Sequence, residues 1–162
     1  QAERIWMAGR SHSVARMEAA ATLGAEPIFV DKTDLRKVDF GRRGVNKILL
    51  VAPPSEIPLA AQIGANGCII SYIGIASDKH GVIRFDADTF HFRRQQLRAS
   101  MASPGTRAQA ALDLLRSGEF DPQLVLSARF PLEEIAAAMV QQRDDKRNAK
   151  KMVMVNPACA WQ

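Results

Sequence analysis

Three polar side chains near the start of the chain have the chemistry of a phosphate site. They are Arg10, Ser11 and Arg16, and they follow a short apolar run, Arg4–Ala8, and a glycine, Gly9. Guanidinium groups present a planar fork of N–H donors that matches phosphate oxygens, and a serine hydroxyl adds another donor. The formal charge of +5 also favours anionic ligands, although it is mild for a dedicated nucleic-acid binder.

The sequence does not predict a metal site or a catalytic residue. The side chains that most often bind metals are two cysteines and three histidines, all widely spaced: Cys68, Cys159, His12, His80 and His91. Zinc sites use closely spaced pairs such as CxxC, and the sequence has none. Both cysteines are therefore predicted to be free thiols in a reducing compartment, which favours a cytoplasmic location.

Short apolar runs alternate with helix-like segments around these residues. The first half predicts strands at Arg4–Ala8, Pro27–Val30, Lys47–Val51 and Cys68–Ile75, helices at Ser13–Leu23 and Ser55–Ala65, and a loop at Thr33–Gly44. The second half predicts strands at Val82–Phe85, Gln96–Met101, Leu124–Ser127 and Lys151–Val155, and helices at Asp86–Arg94, Thr106–Ser117 and from Pro131 onward. This alternation predicts an α/β fold, with a parallel sheet covered by helices on both faces and ligands at the carboxyl ends of the strands.

Four segments carry a more specific pattern. They are GCIISYIGIA (67–76), IRFDADTFHFRRQQLRASMASP (83–104), ALDLLRSGEFDPQLVLSARFPLEEIAAAM (111–139) and KKMVMV (150–155). Together they resemble the zinc-type medium-chain alcohol dehydrogenase superfamily, and most nearly its sorbitol, polyol and threonine dehydrogenase branch. The resemblance implies a truncated Rossmann-like coenzyme-binding domain over residues 1–156, followed by a tail at 157–162.

The resemblance gives the first polar group a role. In that family the second Rossmann strand ends at the adenosine ribose, where an acidic residue favours NAD and an arginine accommodates the 2′-phosphate of NADP. Gly9, Arg10, Ser11 and Arg16 match this corner, which implies NADP as the coenzyme. A solvated charge after a strand is the simpler interpretation of Arg10, and both interpretations stay open.

The resemblance also places three main-chain contacts with the coenzyme. They are Ala52 and Pro53 beside the adenosine, Ile73, Gly74 and Ile75 at the nicotinamide carboxamide, and Ser100 and Met101 nearby. The simpler alternatives are that the Pro53-Pro54 pair ends a strand and that Gly74 allows a bend.

Two parts of the family pattern have no counterpart in the sequence. No GxGxxG turn occurs in the 162 residues, so the first Rossmann strand and its phosphate-binding turn are expected to be missing. The zinc-bearing catalytic domain is missing too, so zinc would belong to that absent domain and NADP binding would be weak or lost. The first strand lies in the middle of the sheet, and without it the two neighbouring strands should keep unpaired backbone groups.

Two functions remain open at this point. The first is the coenzyme-binding portion of a zinc-type, NADP-preferring alcohol or polyol dehydrogenase that is not catalytic alone. The second is a degenerate Rossmann module that serves as an oligomerisation or protein-interaction domain without coenzyme. The family dimerises through edge strands, which match Val82–Phe85 and Gln96–Met101 here, so a homodimer is expected. Neither a nucleic acid nor a membrane is expected as a partner.

Overall fold

Parallel strand pairs connected by helices make up the computed structural model, which describes residues 2–76, 81–101 and 104–155. The strands are β1 (Trp6–Gly9), β2 (Glu26–Phe29), β3 (Val45–Leu50), β4 (Gly64–Tyr72), β5 (Gln96–Ala99), β6 (Leu126–Pro131) and β7 (Lys151–Val155). The helices are α1 (Val14–Thr22), α2 (Ile57–Ile63), α3 (Ala87–Phe92), α4 (Pro104–Ser117) and α5 (Ile135–Asp144). The chain forms two compact units, of which one combines Gln1–Thr33 with Ala108–Gln162 and the other is Asp34–Arg107.

The first unit contains two parallel strand pairs, β1 with β2 and β6 with β7. Helix α1 connects β1 to β2, and its side chains Met17 and Ala19 are buried. Gly9 ends β1 where a Cβ atom would stand only 2.5 Å from the Sδ atom of Met17. The absence of a side chain at this position therefore lets α1 pack against the end of the strand.

The second unit is a three-stranded parallel sheet in the order β3-β4-β5. Ile48 of β3 pairs with Ile70 of β4, and Ile70 pairs with Leu97 of β5. Ala60 of α2 packs against Cys68 and Ile70 to form the buried core of this unit. Burial raises the pKa of the Cys68 thiol, since the charged thiolate is disfavoured away from water. The prediction of a free thiol is confirmed for Cys68, while Cys159 lies outside the described residues.

The predicted α/β class and the parallel pairing of the strands are confirmed, but the strands form three separate sheets instead of one. β1 therefore lies outside the sheet that contains β3 and β4. Within the described strands, β1 is hydrogen-bonded to β2 alone and β3 to β4 alone.

Several predicted boundaries are wrong. Residues 82–85 do not form a strand. Their β-branched and aromatic residues favour an extended backbone, but no described strand pairs with this segment. The strand predicted at Leu124–Ser127 begins at Leu126 and runs to Pro131, so Pro131 ends a strand and a short 3-10 turn (Leu132–Glu134) precedes α5. The strand predicted from Cys68 begins earlier, at Gly64, and ends at Tyr72.

Candidate functional site

The Gly9-Arg10-Ser11 corner connects β1 to α1 in the first unit. The backbone N–H of Ser13 donates to the carbonyl of Arg10 at 2.9 Å, which turns the chain toward the helix. The Arg10 side chain is exposed, and among the described residues it has no hydrogen bond or ion pair. The guanidinium therefore keeps all its donors for a ligand at this corner.

An internal carboxylate already occupies the serine of this corner. The backbone N–H of Ser11 donates to Oδ1 of Asp31 at 2.8 Å, and the Ser11 hydroxyl donates to Oδ2. Both bonds lower the pKa of Asp31, and the bond from the Ser11 hydroxyl has the larger effect. The Asp31 side chain is therefore ionised at neutral pH. A phosphate that approaches Ser11 meets a negative charge and donors that are already in use.

Asp31 was not among the residues singled out from the sequence. It comes two residues after the end of β2, and the carboxyl ends of parallel strands meet at the same edge of a sheet. Its position just beyond the strand that pairs with β1 was the available signal. An acidic residue at such an edge accepts hydrogen bonds from hydroxyl groups and repels anions. Asp31 therefore opposes the phosphate binding that was predicted for Arg10.

Arg16 is directed away from the corner. Its Nε donates to the carbonyl of Ala149 at 3.1 Å, and the neighbouring N–H of Ala15 donates to the carbonyl of Arg147 at 3.2 Å. Ala149 is buried just before β7. Arg16 therefore fastens α1 to the loop before the last strand, and that donor is not available to a phosphate.

The remaining predicted residues meet at the carboxyl edge of the second unit. The N–H of Ile73 donates to the carbonyl of Leu50, and the N–H of Ser100 donates to the carbonyl of Tyr72, both at 3.0 Å. These bonds extend both ladders one residue past the strands. The structure thus brings the segments after β3, β4 and β5 to one edge, as parallel strands require.

Gly74 contacts the main chain of Ala52 within this edge. A Cβ atom at position 74 would lie 1.9 Å from the Ala52 carbonyl oxygen and 2.7 Å from its carbon. No side chain fits there, because real Cβ atoms essentially never approach another heavy atom within 3.0 Å. Pro53 follows, and Pro54 begins a short 3-10 turn before α2. β3 already ends at Leu50, so the local role of the proline pair is to start this turn.

Apolar side chains surround this edge and are exposed to solvent. Ile75 and Met101 are 87% and 94% exposed, and Val51 and Ile73 are exposed to a smaller extent. Large apolar groups in one exposed patch are typical of surfaces that bind a ligand or another protein. In the described part of the chain, no cluster of three or more His, Cys, Asp or Glu side chains could hold a metal ion.

Comparison with solved structures gives the same architecture over nearly the whole chain. An alcohol dehydrogenase from Thermus sp. ATN1 is 26% identical, with a TM-score of 0.80 over 96% of this chain and 45% of its own. The fold is the Rossmann-like dehydrogenase fold. No protein-family model matches the sequence, and no curated protein matches it either.

Two further structures with the Rossmann-like dehydrogenase fold were solved with a coenzyme. A short chain alcohol dehydrogenase from E. coli CFT073, complexed with NADH, is 17% identical, with a TM-score of 0.78 over 93% of this chain and 44% of its own. A protein assigned as a zinc-binding dehydrogenase from Sinorhizobium meliloti 1021, bound to NADP, is also 17% identical, with a TM-score of 0.75 over 95% of this chain and 46% of its own. This chain therefore spans less than half the length of the dehydrogenases that it matches.

Proposed function

We propose that this chain is the coenzyme-binding portion of a cytoplasmic, zinc-type, NADP-preferring alcohol or polyol dehydrogenase. The observation that carries the proposal is the fold, which follows an alcohol dehydrogenase over 96% of the chain with a TM-score of 0.80. The alternative of an interaction module without coenzyme has no such support. The two groups of predicted residues belong to different units of the chain.

The corner of the first unit supports a 2′-phosphate site in one respect and opposes it in another. The exposed Arg10 guanidinium offers a fork of donors for phosphate oxygens. Asp31 holds both Ser11 donors and adds a negative charge. We therefore propose that Arg10 selects the phosphorylated coenzyme while Asp31 limits its affinity. The sequence contains no glycine-rich turn for the pyrophosphate, which also favours weak binding.

The edge of the second unit suits the nicotinamide end of a coenzyme. Gly74 lets the backbone after β4 lie against the backbone of Ala52, which brings the two segments together, and the exposed Ile73 and Ile75 flank it. Main-chain groups there and at Ser100 and Met101 can bind a carboxamide, and the apolar side chains can cover the ring. In this proposal Ala52 and Pro53 approach the adenosine.

No hydride-transfer step is assigned to this chain. A bound nicotinamide coenzyme would supply the hydride carrier, whereas zinc-dependent alcohol oxidation needs a metal ligand set that the described residues do not form. The chain's own residues would bind and orient the coenzyme, and we expect no alcohol oxidation from the chain alone.

Replacing Arg10 with alanine tests the corner. Isothermal calorimetry with NADPH and NADH should show the Kd for NADPH rising about tenfold, because one charge-assisted interaction at an exposed site is lost. The Kd for NADH should stay unchanged. Arg116→Ala, on the exposed surface of α4, is the matched control and should alter neither value. If neither nucleotide saturates the unmodified chain at millimolar concentration, the proposed function is wrong and the interaction module takes its place.

We also propose that the chain forms a homodimer through the outer edge of β5. In the described sheet β5 pairs with β4 on one side alone, so its other edge carries unpaired backbone groups. Residues 82–85, which were also predicted to form an edge strand of the dimer, are not a strand and are left out of this interface. Sedimentation should show a dimer, and hydrogen exchange of the β5 amides should slow with increasing protein concentration. A chain that stays monomeric, with β5 exchange independent of concentration, would contradict this proposal.

A further inference from the structure

A cavity of about 330 Å³ lies between α2 and α3 in the second unit. Gln95, which directly precedes β5, is part of its wall. The Gln95 side chain also bonds to Gly64, where β4 begins, so this α2–α3 cavity lies at the amino end of the strands. The edge proposed for the coenzyme is at their carboxyl end and contributes no residue to the lining. The cavity size is at the lower end of the range for small-molecule sites.

Aromatic side chains form one wall of the α2–α3 cavity. The rings of Phe85 and Phe90 meet edge to face, with centroids 5.3 Å apart and an interplanar angle of 68°. Pro58 and Ala61 of α2 also line the cavity. Such a wall favours a flat ring, which can stack on or pack edge-on against the phenylalanines.

The charged groups of the cavity favour an anion. Arg84 is exposed, and in the described chain it makes no hydrogen bond or ion pair. Arg93 donates from Nη1 to the Gln62 carbonyl at 3.0 Å and keeps its charge. The one carboxylate in the lining, Asp86, accepts hydrogen bonds from the N–H and hydroxyl of Thr89, which lower its pKa. Two cations against one anion leave a net charge of +1 for a ligand to neutralise.

Gln95 leaves one acceptor without a donor. The side chain is 7% exposed, and its Nε2 donates to the carbonyls of Ala61 and Gly64 at 3.0 Å and of Ala65 at 3.3 Å. Three acceptors on one side fix which end of the amide is nitrogen. Its Oε1 is buried and has no hydrogen-bond partner. This oxygen is enclosed by protein atoms, so a molecule in the cavity does not reach it. The Gln95 amide instead holds the end of α2 against the start of β4 at this wall.

We propose that the α2–α3 cavity binds a small aromatic carboxylate. The ring packs against Phe85 and Phe90, and the carboxylate pairs with Arg84. This site goes beyond the coenzyme function and does not depend on it. Its test uses no nucleotide, so failure of coenzyme binding leaves the result interpretable.

The test is a titration of the isotope-labelled full chain with indole-3-acetate, followed by NMR. We expect saturable shifts of the Gln95 side-chain amide and the Phe90 backbone amide, with a Kd on the order of 1 mM. Indole-3-acetamide lacks the charge and should bind about tenfold more weakly, since it loses one polar interaction.

Two arginine variants separate the site from general attraction of an anion to a basic protein. Arg84→Gln should weaken indole-3-acetate about tenfold and leave indole-3-acetamide unchanged. Arg98→Gln changes an exposed arginine of β5 outside the lining and should alter neither affinity. The proposal is overturned if no saturable shift occurs, if indole-3-acetamide binds as well as indole-3-acetate, or if both variants weaken binding equally.

Discussion

Replacing Gly74 with alanine is expected to destabilise the second unit by about 3 kcal/mol, as over-packing of a close contact does. The new methyl group would lie 1.9 Å from the carbonyl oxygen of Ala52. That atom belongs to the backbone, so the segments after β3 and β4 must separate. The separation would also disrupt the main-chain arrangement proposed for the nicotinamide.

The reactivity of Cys68 can report this loss. Its thiol is fully buried and its pKa is raised, so alkylation of a Cys159→Ser background should occur only when the unit opens. Gly74→Ala should speed alkylation by about two orders of magnitude. Gly81→Ala is the matched control in the same unit, because a Cβ there meets its nearest heavy atom at 3.9 Å. Equal alkylation rates in the two variants would show that the Gly74 contact is not structurally important.

Replacing Asp31 with asparagine should tighten NADPH binding about tenfold. The change removes a negative charge from the corner and weakens the hold on the two Ser11 donors. NADH has no 2′-phosphate and should bind nearly as before. The gain should shrink at high salt, because exposed charges are screened.

The bond between Asp31 and Ser11 also depends on pH in the unmodified protein. The pKa of Asp31 lies below its usual range, so the bond to Ser11 persists at neutral pH and is lost only as the pH falls through that lowered value.

Asp113→Asn, on α4, is the control for a charge change elsewhere in the first unit. If Asp31→Asn strengthens NADH and NADPH binding equally, the carboxylate does not act against the phosphate.

The sequence predicted an element correctly where residues next to it mark its ends. β7 has the predicted bounds, Lys151–Val155, because a short apolar run there is flanked by polar residues. Gly24 and Gly118 follow α1 and α4 in the left-handed conformation, with φ of 87° and 74°, as a glycine helix stop requires. The parallel pairing of β3 with β4 follows from the helix between them.

The predicted boundaries were wrong where contacts with residues distant in the sequence decide whether a segment is helix or strand. The helix predicted over Ser55–Ala65 ends at Ile63, and Gly64 and Gly67 lie in β4, where the N–H of Gly67 donates to the carbonyl of Arg93 at 2.7 Å. Pro131 suits the first turn of a helix as well as the end of a strand, and pairing with Val155 decided between them. Of the candidate site, the sequence identified the strand ends but not Asp31, because its bonds to Ser11 depend on β1 and β2 lying side by side.

The division of the chain also has a consequence for its synthesis. The second unit is one continuous segment, Asp34–Arg107, and can fold as soon as that segment leaves the ribosome. The first unit must wait, because Arg16 bonds to Ala149, a partner 133 positions later. Its early strands and α1 therefore spend most of translation without the contacts that finally secure them, and this is the interval in which a chaperone would be most useful.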